Sequence, residues 1–337
     1  MVSGVNAGSG GPVIRSTTSV LTRGDRWDHI LAGWGVNRSD HRVEPGLYAL
    51  GSPTPDAPGF ATANYTLSFD ALRSALSGFD AYILVLDTYG VNVWCAAGQG
   101  TFGTDELVHR IRSSRPDEVV RHRRLILPQL GAPGVAAHEI KNRPGFKVQY
   151  GPVRAEDLPA YLVTREATPT MRQVRFNLQD RLVLIPVELV HVSPRMLLAA
   201  VAVFFLAGPL GSAAVAAAVL AGAALFPVLL PALPTNPFST KGFILGAAVA
   251  LPFAAAAAFG GPGAVWWFRA GAALAYVTAL PPVTAYLALN FTGSTPFTSR
   301  TAVRREIFAY VPVMAWVFGA GIFLTLALTL IRVLGGA

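Results

Sequence analysis

Apolar and polar positions divide this chain into two regimes that meet near Pro194. Before that point, short apolar runs alternate with mixed segments. The run AYILVL at 81–86 is apolar on both faces, as a strand buried in a parallel sheet must be. LILP at 125–128 and FKVQY at 146–150 read as further strands. A helix is expected from Thr104, a natural cap with Asp105 and Glu106 in its first turn, to about Arg112. Another is expected over 133–143 with Pro133 at its start, and a short one over 156–163. Strand and helix in alternation predict an α/β Rossmann-like domain, whose ligands sit beyond the C-terminal strand ends. Residues 1–24 read as a flexible N-terminal segment, 25–165 as the α/β domain and 166–193 as a linker. Within that linker, Arg172, Arg175 and Arg181 lie among apolar residues. The pattern suits either a segment lying along a membrane or a strand-rich connection.

After Ser193-Pro194 the polar face disappears. Such spans must be helical in lipid, where no water pairs with the backbone. Five are expected, at about 195–208, 212–231, 242–259, 264–289 and 307–332, forming an all-α transmembrane domain over 194–337. The count falls to four if Gly208-Pro209 only bends one helix. Charge favours five. The loops carrying Lys241 and Arg300, Arg304 and Arg305 then share one side, and the uncharged turns at Gly208-Pro209 and 260–263 share the other. The opening residues lack an apolar core of signal-peptide type, so the α/β domain is expected in the cytoplasm. Arg269 reads as a cation snorkelling from the outer end of the fourth span.

Composition adds little to this outline. The net charge is +8, yet residues 1–195 hold 21 of the 27 Lys+Arg and 18 of the 19 Asp+Glu. The excess therefore sits mainly between apolar spans, where it sets membrane orientation. No nucleic-acid motif accompanies it, and no nucleic-acid partner is expected. No GxxxxGK[ST] loop is present, and the G-x-G-x-x-G at Gly98–Gly103 is not in the strand-to-helix setting that a dinucleotide requires. The six histidines are scattered without metal-ligand spacing.

One cysteine, Cys95, excludes an internal disulfide. It sits in VNVWCAAGQG, just past the 81–86 strand and thus at the ligand-binding edge. Two readings stand side by side. Cys95 is a small buried hydrophobe, or it is a ligand aimed by a short helical turn. On the second reading Asn92 caps the turn, Trp94–Ala97 form it and Gly98 ends it. Ala96 and Ala97 then keep the surface around the sulfur flat, and the N-terminal position favours the thiolate form that binds metals.

The stretch Asn92-Val93-Trp94-Cys95-Ala96-Ala97-Gly98 resembles the signature of the corrinoid protein family of microbial mercury methylation (HgcA). That family is related to the corrinoid iron–sulfur protein of the acetyl-CoA pathway. The similarity extends through RVEPGLYALG (42–51), TANYTLSFDALR (62–73), LVLDTYG (84–90), GTFGTDELVHRI (100–111), LPQLGAPGVAAHEIK (127–141), GFKVQYGPVRAED (145–157) and NFTGSTPFTS (290–299). The resemblance implies a corrinoid (cobalamin-type) cofactor with Cys95 as lower axial cobalt ligand on a cap helix built from Asn92–Gly98. Trp94 and the flanking alanines would shape the face against the ring. Thr62 and Asn64, with Gly131, Ala132, Pro133 and Gly134, would cradle the cofactor. The implied activity is a methyltransferase passing a methyl group from methyl-Co(III) to Hg(II). A folate-type methyl donor or its methyltransferase would supply the methyl group. A ferredoxin-like iron–sulfur partner (HgcB) would serve as electron donor and mercury carrier, and membrane lipid would surround the helices. One position departs: Gln99 stands where the family has lysine, keeping hydrogen-bonding capacity and losing the charge. A corrinoid methyl carrier for another acceptor, and a non-enzymatic membrane protein with an adapted Rossmann-like domain, are the competing readings.

Overall fold

The computed structural model describes residues 11–37, 40–260, 265–294 and 300–335. Chain contacts divide them into two units, residues 1–175 and 176–337.

The first unit is built around β4 (Ala81–Leu86), whose six side chains are all buried. Alternate residues of a strand point to opposite faces, so β4 feeds two cores. Leu84 and Leu86 join a cluster with Val93, Ala96, Leu107, Ile111 and Ile140. Ile83 and Val85 join Phe69, Leu72, Leu158 and Leu162 on the other face. Each large apolar side chain fully buried in this way contributes about 1.5–3 kcal/mol relative to exposure. The remaining strands are β1 (Ile14–Thr17), β2 (Gly46–Leu50), β3 (Gly59–Ala63), β5 (Arg124–Leu127) and β6 (Lys147–Tyr150). They form one sheet in the order β1-β2-β4-β3-β5-β6. β4, β3, β5 and β6 run parallel, whereas β2 pairs antiparallel to β4, with Leu47 opposite Leu84.

Helices α1 (Arg23–Gly33), α2 (Thr66–Ala75), α3 (Val93–Gln99), α4 (Thr104–Ser114), α5 (Ala137–Asn142) and α6 (Leu158–Thr164) complete the unit. The Rossmann-like α/β reading therefore holds, with local corrections. Part of the segment expected to be flexible, Ile14–Thr17, is a strand paired with β2. Thr104 does not cap α4, since Gly103 holds the cap position. The Thr104 hydroxyl instead accepts the Ala136 N–H at 2.8 Å, tying α4 to the start of α5. The 133–143 helix begins only at Ala137, because residues 129–134 are taken up by tight turns.

In the second unit, four stretches are long and apolar enough to cross a membrane: Leu178–Leu229, Phe238–Phe259, Trp266–Asn290 and Thr301–Val333. VLIPVELVHV, expected as linker, is helical. A capping box at Asn177 and Asp180 starts α7 (Leu178–Leu182), and α8 (Ile185–Leu220) follows. The first stretch has 52 residues. A straight helix of that length would reach about 78 Å, against a hydrocarbon core of about 30 Å. It breaks at Gly208, where φ is 75° and ψ −170°, a conformation open to glycine and closed to most side chains. Beyond the break, a Cβ on Gly211 would lie 2.8 Å from Val203, eight positions earlier. The chain therefore folds back there, and Arg181 Nη1 donates to the Pro227 carbonyl at 3.0 Å and the Val228 carbonyl at 2.7 Å. The first of the four apolar stretches thus consists of two helical arms joined by the Gly208-Pro209 turn. A π-helical segment (Ala221–Leu225) and α9 (Phe226–Leu229) end the second arm.

α10 (Phe238–Phe259), α11 (Trp266–Asn290) and α12 (Arg300–Val333) follow. Small residues let them approach closely: a Cβ on Gly242 would lie 2.5 Å from the Ala285 Cα. The 260–263 turn and the 290–299 loop fall largely outside the described residues.

Candidate functional site

The placement of Cys95 begins with a buried amide one residue past β3. Asn64 is 2 % exposed, and its side chain holds the turn that leaves β4. Its Oδ1 accepts the backbone N–H groups of Thr88 and Gly90, both at 3.0 Å. The Thr88 hydroxyl lies 2.9 Å from the same oxygen and 2.7 Å from the Val91 carbonyl. Asn64 Nδ2 donates to Asp87 Oδ1 at 3.0 Å. On its other side the Asp87 N–H reaches Glu106 on α4, which is paired with Arg110. A carboxamide engaged at both ends has little capacity left for a ligand. Asn64 thus anchors the turn from which α3 starts.

From this turn α3 starts at Val93. Asn92 caps it: its Oδ1 accepts the Cys95 N–H at 2.9 Å, satisfying a donor that the first helical turn leaves open. The helix runs past Gly98 and ends at Gly100, in the left-handed conformation with φ 91°. Val93, Ala96 and Ala97 are buried in the core, whereas Trp94, Gly98 and Gln99 are exposed and Cys95 is half-buried. The alanines, expected to flatten the outward face, are therefore its packing side. On the exposed side, Gly98 presents no side chain three positions after Cys95, and Trp94 lines the adjoining cavity.

The 131–134 segment supports α3 from behind. A Cβ on Gly134 would lie 2.1 Å from the Phe102 carbonyl oxygen and 3.0 Å from the Ala97 Cα, and one on Gly131 would strike the Phe102 ring. Ala132 is half-buried and Pro133 exposed. The Tyr150 phenol donates to the Val135 carbonyl at 2.6 Å, and burial pushes its pKa above the ordinary value. These residues fix where α3 sits.

Beside the first turn of α3, at the C-terminal ends of β3 and β5, lies a cavity of about 330 Å³. Thr62, Asn92, Trp94, Leu130, Pro152 and Arg154 are among its lining. It is mainly apolar and at the small end of ligand pockets. Thr62, Asn92, Val93 and Trp94 are thereby brought to one opening, and Cys95 adjoins it on the next step of α3. Asp87, Thr88, Leu130, Pro152 and Arg154 were not singled out from sequence. The available signal was polar residues directly after an apolar strand, in LDTYG. Among the described residues, no three His, Cys, Asp or Glu side chains gather to hold a metal ion by themselves.

The profile of the CO dehydrogenase/acetyl-CoA synthase delta subunit family (CdhD) matches residues 36–162. The acetyl-CoA decarbonylase/synthase complex subunit gamma of Archaeoglobus fulgidus is 34% identical over 127 residues, covering 37% of this chain and 27% of the relative. The corresponding subunit of Methanopyrus kandleri is 29% identical over the same coverage. The corrinoid/iron–sulfur protein large subunit of Moorella thermoacetica is 25% identical over 158 residues, covering 44% of this chain and 35% of the relative. The chain thus spans about a quarter to a third of the length of these relatives. The family profile covers α3, Cys95 and the turn that holds them, so the α/β unit is similar to subunits of the acetyl-CoA pathway and to a corrinoid/iron–sulfur protein.

Proposed function

We propose that this chain is a membrane-anchored, corrinoid-dependent methyl-transfer protein in which Cys95 would ligate the cobalt, with Hg(II) as the methyl acceptor. The carrying observation is the lone, half-exposed thiol of Cys95 on the outward side of a helix capped by Asn92, next to a cavity at the strand ends. A bound corrinoid supplies a cobalt centre that takes up and releases a methyl group. The chain supplies the rest. Asn92 fixes the first turn of α3, and Asn64 with Thr88 fixes the approach to it. Gly98 leaves room for a planar ring, and Trp94 shields one side of the sulfur from water. The cavity would take only a substituent of the ring, with Thr62, Ser68, Asn92 and Arg154 as the polar side chains of its lining. The α/β domain (25–165) lies in the cytoplasm on this reading. An iron–sulfur protein delivers electrons there, and a folate-type donor the methyl group.

Mercury as acceptor rests on the similarity at Asn92–Gly98. With a corrinoid bound, Cys95 as a thiolate ligand would donate electron density to its metal, chemistry suited to methyl transfer to Hg(II). Gln99 favours a second reading, a carrier for another acceptor such as a thiol or metalloid. The test is expression in a corrinoid-replete host, followed by absorbance and methyl transfer with reductant, donor and partner supplied. The wild type is expected to retain corrinoid and form methylmercury, and Cys95→Ala to lose methyl transfer. Full transfer by Cys95→Ala would remove the cobalt-ligand role. Corrinoid without methylmercury, restored by Gln99→Lys, would favour the second reading.

A further inference from the structure

The helical unit contains a cavity of about 970 Å³, lined largely by apolar side chains of both arms of α8 and of α11 and α12. Three arginines, Arg195, Arg269 and Arg332, also line it, and no carboxylate does among the described residues. Arg269 and Arg332 share one end. A Cβ on Gly271 would lie 3.3 Å from the Leu328 side chain, and the Thr329 hydroxyl donates to the Leu206 carbonyl at 3.0 Å. That end lies by the Gly208 turn, away from Glu306, which accepts the Ser239 N–H near the start of α10.

Arg332 stands in the last turn of α12, where the helix dipole favours a cation. Arg269 has no such explanation. It stands in the first turn of α11, where the dipole disfavours a cation, and its Nε is buried without a hydrogen-bond partner. The positive-inside pattern also places both arginines on the side where cations are fewest. A bound anion resolves all three features, and the apolar remainder of the cavity requires that anion to carry a hydrocarbon tail.

We propose that this cavity holds one anionic phospholipid, its phosphate between Arg269 and Arg332 and its chains along the apolar wall between α8, α11 and α12. Charge complementarity selects the headgroup. Arginine forms paired, charge-assisted hydrogen bonds to phosphate oxygens.

The test uses the full chain in detergent, titrated separately with dioleoylphosphatidylglycerol, dioleoylphosphatidylcholine and inorganic phosphate, and read by native mass spectrometry and thermal shift. The expected result is one retained phosphatidylglycerol, with binding about tenfold weaker for Arg269→Gln and again for Arg332→Gln. Ala272→Phe, which leaves both charges and fills the wall, should also release the lipid. Equal binding of phosphatidylcholine, or undiminished phosphatidylglycerol binding in all three variants, would overturn the proposal. A shift produced by inorganic phosphate alone would overturn the lipid as the source. Should a glutamine variant fail to fold, Arg269→Lys serves in its place, with weakened binding expected.

Discussion

Arg181 and Pro227 are joined by a hydrogen bond of 3.0 Å although 46 residues separate them. A continuous helix between them would hold them roughly 70 Å apart. The bond therefore records a hairpin. Single cysteines placed in a Cys95→Ala background and labelled from one side of the membrane check this. Ser212→Cys and Val265→Cys should label together, and Ala232→Cys from the opposite side. Labelling of 212 and 232 from the same side would contradict the hairpin.

Asn64 should behave as the keystone of the turn that leaves β4. Asn64→Ala strips the Thr88 and Gly90 N–H groups of their acceptor, and an unsatisfied buried donor costs about 1–3 kcal/mol. A local loss of about 2 kcal/mol corresponds to roughly thirtyfold faster hydrogen exchange at these two amides. Unchanged exchange there would show that the turn is held by other contacts.

Gly134 tests the packing behind Cys95. Gly134→Ala puts a methyl group 2.1 Å from the Phe102 carbonyl oxygen and 3.0 Å from the Ala97 Cα. Relief of that clash should cost about 2–3 kcal/mol and displace α3, lowering both the thermal midpoint and corrinoid retention. Gly33→Ala is the control. A Cβ there meets nothing within 4 Å, and helix propensity alone should leave stability equal or slightly higher. Equal midpoints for the two variants would refute the close-packing argument.

His41 gives the α/β unit a pH dependence. The ring is 4 % exposed, with Nδ1 2.7 Å from Asp28 Oδ1 and Nε2 2.7 Å from the Val36 carbonyl. Two acceptors on two ring nitrogens call for the doubly protonated imidazolium. Burial opposes that charge, but the Val36 carbonyl, Asp28 and Asp40 outweigh it and hold the pKa above the ordinary 6.5. A raised folded-state pKa contributes stability that is complete below the unfolded value of 6.5 and is lost as pH rises through the folded one. Thermal midpoints across about pH 5 to 9 should show wild type exceeding His41→Gln most at the acid end, the lead shrinking above 6.5. A lead independent of pH would show that the imidazolium is not what His41 contributes.

Sequence patterning reached the elements whose signal is local. AYILVL has no polar residue to place outside, so burial on both faces follows directly, and the cap at Asn92 is a contact across three residues. Features set by distant partners stayed hidden. Whether Ala96 and Ala97 face the core or the solvent depends on what lies beneath α3. The sequence does not show Gly134 coming against Ala97 from 37 positions away. The antiparallel placement of β2 is set by its pairing with β4, 31 or more positions further along the chain. Thr104, a strong cap by type, is drawn instead to the Ala136 N–H. VLIPVELVHV has β-branched residues in quantity, and its helicity comes from continuity with the apolar arm that follows.

The one-sided burial of α3 has a directional consequence. Its core side is filled by Val93, Ala96 and Ala97, and its ends are tied at Asn92 and Gly100. A turn of one residue step, about 100°, would bury Trp94 and drive Val93 into water. The helix therefore cannot swivel to meet an incoming partner, and the sulfur keeps a single line of approach. On the proposed function, a planar partner would therefore meet this thiol along a direction set by the helix and not by the partner.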